Sequence, residues 1–270
     1  MSAGELRPED VARYLRDQKD LGVSELILEE LSREAALDLA GRREGSSASD
    51  LQASGQRSRP LESSTDGSVA SGGGSESEVD IEAATDLAAL AELVAACTRC
   101  SLHLKRKSAV FGEGAADARV VCVGEAPGAR EDETGRPFVG RAGQLLDRLL
   151  MTVGLARESV YICNVLKSRP PNNRDPLPDE VQACSPYLLR QLALIQPEVI
   201  VAFGAFAART LLDTKSALGR MRGSVHKYAG YPVVVTYHPA ALLRNPGWTR
   251  PTWEDLQIVR RLLDGEPADG

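Results

Sequence analysis

The chain has 270 residues, 43% of them hydrophobic, and a formal net charge of −6. The acidity comes from residues 1–94, with 9 Lys/Arg and 20 Asp/Glu, whereas residues 95–270 have the remaining 23 and 18, a net charge of +5. No run approaches the roughly 18 apolar residues of a membrane span, and the first residues do not resemble a signal peptide. We therefore predict a cytoplasmic protein without a membrane partner, whose five cysteines do not form a disulfide framework.

The N-terminal part differs in composition from the rest of the chain. Residues 1–40 contain two amphipathic patterns that predict a short helical segment, with Ser24 as the N-cap of the second helix. Residues 41–84 are rich in Ser, Gly, Glu and Asp and have few large apolar side chains. Such a segment cannot bury enough surface to offset the entropy of ordering it. We therefore predict a disordered linker there and a globular domain over residues 85–270.

The globular part alternates between apolar, β-branched runs and helical patterns. A capped helix is expected over residues 85–96, and strands are expected over Arg119–Val123, Val160–Asn164, Val199–Phe203 and Val233–Thr236. Helical patterns occupy Gly143–Val153, Asp179–Ile195, Ala205–Leu212 and Trp253–Leu263. Continuous apolar strands that alternate with helices indicate an α/β fold with a parallel sheet covered on both faces. Ligands of such sheets bind beyond the carboxyl ends of the strands, so functional residues should lie there.

The first predicted strand leads into a glycine-rich loop from Gly124 to Gly140, which contains Glu125, the acidic run Glu131–Glu133 and Phe138. Glycines allow the backbone to approach a ligand closely. A nucleotide-phosphate loop and a simple connector are the alternatives. No Walker lysine follows, however, and the spacing is not that of a dinucleotide fingerprint. The aromatic Phe138 in such a loop favours a binding role.

Two further strands end in polar side chains. Asn164 ends the second strand, and its amide offers both a donor and an acceptor to the edge of a base. His238, followed by Pro239, ends the last strand and can donate a hydrogen bond to a developing anion. Each has a structural alternative, since an Asn there can cap a turn and a lone His is more often structural. Because the carboxyl ends of parallel strands meet at one edge, we expect the three loops to converge.

Together these segments resemble the signature blocks of the family 4, iron–sulfur type uracil-DNA glycosylases over roughly residues 90–263. The blocks are Gly124–Gly128, Gly135–Gly140, Asn164 with the Lys-x-Arg-Pro-Pro run that follows it, Thr236–Pro239 and Leu242–Arg244. The resemblance implies a three-layer α/β/α fold with a central four-stranded parallel sheet. It also implies that the partner is uracil-containing DNA, with the damaged base rotated out of the stack.

The resemblance implies a role for each matching residue of the pocket. Phe138 would stack on the uracil ring, Asn164 would read its edge, and His238 would donate a hydrogen bond to a uracil oxygen as the N-glycosidic bond breaks. Gly124 and Ala126 would line the substrate. Ala126 stands where another glycosylase branch has its water-activating aspartate, and alanine cannot do that work.

Glu125 and Glu131 match the acidic positions of the pocket, so either one replaces the aspartate or the enzyme relies mainly on stabilising the leaving group. We expect Glu131 to polarise water and Glu125 to have a positional role. Leu242 and Leu243 would fill the vacated base stack as a wedge, and Arg244 would contact a phosphate. The alternative for the leucines is packing in the core.

Cys97 and Cys100 form a CxxC pair, which alone also fits half a zinc site or a redox pair. The resemblance implies a 4Fe-4S cluster held by Cys97, Cys100, Cys184 and a fourth cysteine, but Ser168 stands at that fourth position. Three arrangements are open. Ser168 ligates iron through oxygen, a weaker donor than thiolate; or the cluster has three protein ligands or loses one iron; or Cys163 replaces the missing ligand.

Two rival functions are a catalytically inactive DNA-binding module of the same fold and a hydrolase or transferase for free nucleotides. The intact polar residues at the strand ends argue against the first, and the lack of a phosphate-loop lysine argues against the second. We expect a monomer. The acidic extension is expected to recruit a protein partner or to tune DNA affinity by competing for the basic face.

Overall fold

The computed structural model describes residues 76–267, with side chains from Asp80 onwards. The helical segment predicted over residues 1–40 lies outside the described residues, and so do residues 41–75 of the linker predicted over residues 41–84. Within the described part, none of the helices is both long and apolar enough to cross a membrane.

The described chain forms one mixed sheet with helices packed on it. The strands are β1 (Glu113–Gly114), β2 (Val120–Gly124), β3 (Tyr161–Asn164), β4 (Val199–Phe203), β5 (Val225–Tyr228) and β6 (Tyr231–Thr236). The helices are α1 (Glu76–Ala83), α2 (Leu87–Ala96), α3 (Ala129–Thr134), α4 (Arg141–Met151), α5 (Pro178–Ile195), α6 (Ala205–Leu212), α7 (Leu218–Met221), α8 (Pro239–Leu242) and α9 (Thr249–Leu263). Short 3-10 turns span Ser101–Leu104, Arg157–Ser159, Pro171–Asn173 and Pro246–Trp248.

The strand order is β1-β3-β2-β4-β6-β5. The central strands β3, β2, β4 and β6 are parallel, as the sequence predicts. The edge strands β1 and β5 are antiparallel to their neighbours and were not predicted. Their sequences explain this, because β1 has two residues and β5, Val-His-Lys-Tyr, lacks a continuous apolar run.

Each central strand contributes side chains to both faces of the sheet, and each face has its own core. Val121 and Val123 of β2 pack with residues of α5 and α6. Val120 and Cys122, on the opposite face, pack with residues of α4 and α9. Alternate residues of a strand point to opposite faces, so the strands that are buried throughout form the middle of three layers. The predicted α/β/α class is confirmed.

A third, smaller cluster lies at the N-terminal side of the described chain. Ile81 and Ala84 are buried against Leu90 and Val94 of α2 and against Tyr187 of α5. Among the described residues, helix α1 therefore lies within residues 41–84, the range for which the sequence predicts a disordered linker. Two apolar residues in a short acidic segment are too weak a local signal, and their burial depends on a helix from much later in the chain.

The register of the sheet decides where the loops leave it. Gly124 pairs with Asn164 at the ends of β2 and β3, and Phe203 pairs with Thr236 at the ends of β4 and β6. The four central strands therefore end level with one another. The segments after them, including His238, start from the same edge.

Candidate active site

Phe138, Asn164 and His238, which are far apart in the sequence, meet at this edge. The rings of Phe138 and His238 are stacked, with centroids 5.3 Å apart and planes at 26°. Gly124 lies against the side chains of Asn164 and Phe138, since a Cβ there would be 2.3 Å from Asn164 Oδ1 and 2.7 Å from Phe138 Cζ. Glycine is therefore required at position 124 for the amide and the ring to come together.

The backbone of Phe138 is in an unusual conformation, with φ of 50° in the left-handed region. Such a conformation costs a bulky residue roughly 1–3 kcal/mol and persists only where its surroundings impose it. Arg157 contributes on one side, donating to the carbonyl oxygens of Pro137 (2.6 Å) and Phe138 (3.2 Å). Gly143 makes room, because a Cβ there would lie 1.6 Å from the Phe138 oxygen.

Glu131 holds the other side of the Phe138 loop. Its Oε1 accepts hydrogen bonds from the backbone N–H groups of Val139 (2.9 Å) and Gly140 (3.1 Å). Gly140 is the N-cap of α4, so the carboxylate also lies at the positive end of that helix. Oε1 of Glu131 is thus occupied in shaping the loop.

Arg157 has no counterpart in the sequence prediction. Its guanidinium is held by Glu113 (2.6 Å) and Asp147 (2.8 Å), and its side chain is only 16% exposed. The charge is therefore paired while its remaining N–H groups reach the Phe138 loop. No local pattern marks an arginine in the turn before β3 as part of a pocket, because its partners come from three other segments.

His238 is set for donation by its own turn. The backbone N–H of Ala240 donates to Nδ1 of His238 at 3.1 Å. Since Nδ1 accepts, the proton of the neutral ring is on Nε2. Burial and the nearby Arg244 lower the pKa of His238 to about 4, against an opposite effect of Glu131. The imidazole is therefore neutral near pH 7 and presents an Nε2–H donor.

The strand that precedes this turn is anchored by residues that the sequence does not mark. Thr236 donates to Asp255 Oδ2 at 2.6 Å, and Arg222 donates to the same oxygen at 2.7 Å. Tyr237 lies between the Arg222 guanidinium, 4.4 Å from its ring centre, and the ring of Trp248, stacked at 4.6 Å. The residues just before His238 are thus fixed on two sides.

The two predicted carboxylates have different environments. Glu125 follows β2 directly, and burial, with a smaller effect of Asp175, raises its pKa to about 7. Glu131, by contrast, is engaged with two backbone amides. Ala126, next to Glu125, belongs to the partly buried rim of the core under α5 and α6.

The two leucines of the predicted wedge are divided by the fold. Leu242 is 2% exposed and packs in the cluster that contains Phe138 and Phe203. The prediction that Leu242 contacts DNA is therefore wrong, because its side chain is buried in the core. Leu243 is 39% exposed, and Arg244 beside it is also exposed.

Cys97, Cys100 and Cys184 are near one another. Burial, together with the nearby Cys100 and Cys97 thiols, raises the pKa of Cys184 to about 11, although a backbone hydrogen bond from Lys167 opposes this. Among residues 76–267 no three metal-binding groups are close enough to hold a single ion. In a 4Fe-4S cluster each cysteine binds a different iron, which spreads the ligands apart. The three thiols supply the donor atom that both an iron–sulfur cluster and a zinc site bind.

Ser168 and Cys163 are both buried, Ser168 in the loop after β3 and Cys163 within that strand. Ser168 is 3% exposed, and its hydroxyl accepts from Arg106 Nη1 at 3.0 Å. Arg106 also donates to the carbonyl of Ala95 at 2.6 Å, which links the loop after β3 to the end of α2. Cys163 is fully buried within β3, and Cys122 is fully buried within β2.

Known proteins place the chain in a family. The sequence model of the Uracil DNA glycosylase superfamily matches residues 111–257. The chain is 52% identical over 181 residues to the type-4 uracil-DNA glycosylase of Thermotoga maritima, which covers 66% of this chain and 94% of the relative. It is 47% identical to the type-4 enzyme of Pyrobaculum aerophilum, covering 64% and 92%, and 44% identical to that of Saccharolobus solfataricus, covering 66% and 87%. The chain therefore belongs to the uracil-DNA glycosylase superfamily, in its type-4 family.

Proposed function

We propose that this chain is a DNA-repair enzyme that hydrolyses the N-glycosidic bond of deoxyuridine in DNA, releasing uracil and leaving an abasic site. One observation carries the proposal. An aromatic ring, a carboxamide and a neutral imidazole, from Phe138, Asn164 and His238, lie together at the carboxyl edge of the sheet. The membership of the family and the type-4 relatives support the same activity.

The three groups match the demands of the reaction. The base must leave the stack before its glycosidic bond is accessible, and Phe138 offers it a new stacking surface. The amide of Asn164 offers both a donor and an acceptor to the edge of the pyrimidine. As the C–N bond breaks, negative charge develops on the departing base, and the Nε2–H of His238 donates to the oxygen that receives it.

Positive charge develops on the sugar in the same step, and a carboxylate can stabilise it and orient the attacking water. We assign this work to Glu125, whose pKa of about 7 leaves a large fraction ionised at neutral pH. Glu131 has the positional role, because its Oε1 already accepts from two amides. This assignment reverses the division expected from the sequence.

Contacts with the DNA outside the pocket are assigned to Leu243 and Arg244. Leu243, partly exposed beside the pocket, suits the space that the rotated base vacates. Arg244 suits a phosphate, which positions the enzyme without reading sequence.

We propose that Cys97, Cys100 and Cys184 hold a 4Fe-4S cluster, as the resemblance to the iron–sulfur family implies. A bound cluster would crosslink α2 to α5 and leave the hydrolysis itself, which transfers no electrons, to the pocket. Iron and sulfide analysis and electron paramagnetic resonance of anaerobically purified protein test this, with Ser168→Cys as the comparison. We expect the variant to hold its iron longer in air; a folded protein free of iron and sulfide would end the assignment.

The cellular setting is part of the proposal. All five cysteines are free, which suits a reducing compartment such as the cytoplasm. We propose a monomer, to be checked by light scattering. We also propose that the acidic N-terminal residues recruit a protein or weaken non-specific DNA binding. The second role predicts tighter DNA binding by a chain lacking residues 1–75, with a steeper salt dependence.

A strand-cleavage assay tests the activity. A uracil-containing oligonucleotide is incubated with the protein, abasic sites are cleaved with alkali, and a uracil-free oligonucleotide is the control. We expect cleavage with the native chain and its loss in His238→Ala and Asn164→Ala, with DNA binding retained in both variants. Retained cleavage in the double variant would remove the site assignment, and DNA binding without cleavage by the native chain would favour the inactive module.

A further inference from the structure

Lys167 is a buried amine behind the pocket. Its side chain is 2% exposed. The ammonium donates to the backbone carbonyl of Asn164 at 2.7 Å and to Oε1 of Gln191 at 2.6 Å. Both partners are neutral oxygens.

Gln191 holds this amine in place. It is 0% exposed on α5, and while its Oε1 accepts from Lys167, its Nε2 donates to the carbonyl of Phe111 (2.9 Å) and to the hydroxyl of Tyr161 (3.1 Å). With both ends of the amide engaged, its orientation is determined. The network thus contacts β3 at both of its ends, at Tyr161 and at Asn164.

The position of the Asn164 peptide decides where its side chain points. Asn164 is the last residue of β3, and the peptide that follows it makes two hydrogen bonds. The Val165 N–H donates to the Gly124 carbonyl at 2.9 Å, and the Asn164 carbonyl accepts from Lys167. Oδ1 of Asn164 lies close against Gly124, since a Cβ added there would be 2.3 Å away. A rotation of the peptide that follows Asn164 would swing the amide away from the pocket. The hydrogen bonds of this peptide to Lys167 and to Gly124 together oppose that rotation.

Stability alone does not explain a lysine at this place. Burying an ammonium group against neutral oxygens is costly. A methionine would avoid that cost, although it would leave the Asn164 carbonyl and Gln191 Oε1 without this donor. The location of the amine points instead to the pocket, because its Nζ contacts the backbone of the residue assigned to read the base.

We propose that Lys167, oriented by Gln191, is a positioning residue that holds the Asn164 peptide so that its carboxamide faces the substrate. The inference rests on the proposed function and deepens it. Lys167 does not touch the base, so its effect on the reaction passes through Asn164.

Lys167→Met, in the full chain, is the first test, measured by single-turnover uracil release with enzyme in excess. Misplacement of a reading group by a fraction of an ångström to an ångström lowers the rate of the chemical step, and we expect a fall of about 10- to 100-fold. The affinity for DNA should stay close to the native value, since contacts with phosphates are made elsewhere. Tyr161→Phe is the matched control: it removes one hydrogen bond of Gln191, leaves the contact with Asn164, and should keep the native rate.

A double-variant cycle separates positioning from a structural role. If Lys167 acts through the carboxamide, Lys167→Met should have almost no further effect on the rate in an Asn164→Ala background. A merely structural role would lower the rate by the same factor in both backgrounds, and that result would overturn the proposal. The Tm of each variant is measured alongside its rate. A Lys167→Met protein with the native Tm but a lower rate of uracil release would support the positioning role directly.

The two proposals can fail separately. If the native chain releases no uracil, the proposed function fails whatever Lys167 does. If the native chain is active and Lys167→Met releases uracil at the native rate, only the positioning role is overturned.

Discussion

The loop of Phe138 and the turn of His238 meet at the candidate site, where their rings stack with centres 5.3 Å apart, but they are held in different ways. The loop is held by charged side chains from distant segments, Arg157 and Glu131. The turn itself is closed by its own residues, through the Ala240 N–H on Nδ1 of His238 and a proline at the first position of α8, while distant residues anchor the strand before it.

This difference shows that one part of the site is fixed by local contacts and the other by contacts between distant segments. A short sequence determines the state and direction of the imidazole, whereas the aromatic surface depends on contacts across the tertiary structure. Damage to the turn should therefore remove chemistry with little loss of stability. Damage to the loop should lower rate and stability together.

The largest effect is expected for His238→Ala. Removing a single donor to a developing anion typically costs roughly 10²- to 10³-fold in kcat, and we expect that loss in single-turnover uracil release. The Tm should change little, because the turn keeps its proline. His226→Ala is the control, since His226 contacts the carbonyl of Met221 in another part of the sheet. A variant that loses Tm as well as rate would contradict the local organisation of the turn.

Glu125→Gln should lower the rate by roughly 10²-fold at pH 8, the lower range for a group that assists proton transfer. Because the pKa of Glu125 is about 7, the native rate should fall as the pH drops below 7, and the variant should lack this fall. His238, with a pKa of about 4, would cause a break only in more acidic solution. A native profile that stays flat between pH 8 and pH 5 would remove Glu125 from the mechanism.

The pH dependence of protein stability is a second test of the raised pKa of Glu125. Its raised pKa means that the folded protein binds the proton more tightly than the unfolded chain does, so the native protein loses stability as the pH rises through 7. Glu125→Gln should therefore have the higher Tm at pH 8, and that advantage should shrink towards pH 5. An equal Tm difference at both values would show that the carboxyl group is not strained by its burial.

Arg157→Met tests the charge-held loop. We expect kcat to fall about tenfold as Phe138 leaves its position, and the free energy of unfolding to fall by about 3 kcal/mol, since two acidic partners lose a buried charge. Arg136→Ala is a matched control, because Arg136 pairs with the same Glu113 but is 62% exposed; a loss of at most about 1 kcal/mol is expected. A native rate in Arg157→Met would show that the loop is held without it.

The smallest effects on the rate are expected from the leucines after His238. Leu242→Ala should lower the free energy of unfolding by about 2–5 kcal/mol, as for other buried leucines. Leu243→Ala should change it by less than about 0.5 kcal/mol and should weaken excision from duplex DNA more than from single strands. Denaturant unfolding and rates on both substrates measure this, and equal losses of stability would contradict the division between core and surface.

Much of the fold could be predicted because its signals are local. The parallel strands are continuous apolar runs, and α2, α5 and α6 have helical periodicity with boundaries close to those observed. The strands β1 and β5 and the helices α1, α3, α7 and α8 were missed, since each is short and has no long periodic pattern of its own.

The candidate site divides in the same way. Asn164 and His238 stand out because a polar residue at the end of an apolar strand is visible in the sequence. Arg157, Gln191 and Asp255 do not stand out. Each is a charged or amide residue in a helix or turn, and the sequence around such a residue does not show which distant residue it will contact.

By itself, the sequence determined the α/β class, the strands whose ends form the pocket, and the family to which the chain belongs, since all three depend on residue types in a fixed order. Only the tertiary structure decided that Glu131 shapes a loop, that Leu242 is buried while Leu243 is exposed, and that an arginine supports the strained Phe138. Those outcomes depend on which side chains from distant segments come within hydrogen-bonding or packing distance. That information arises only when the sheet, its register and its two helical layers are assembled.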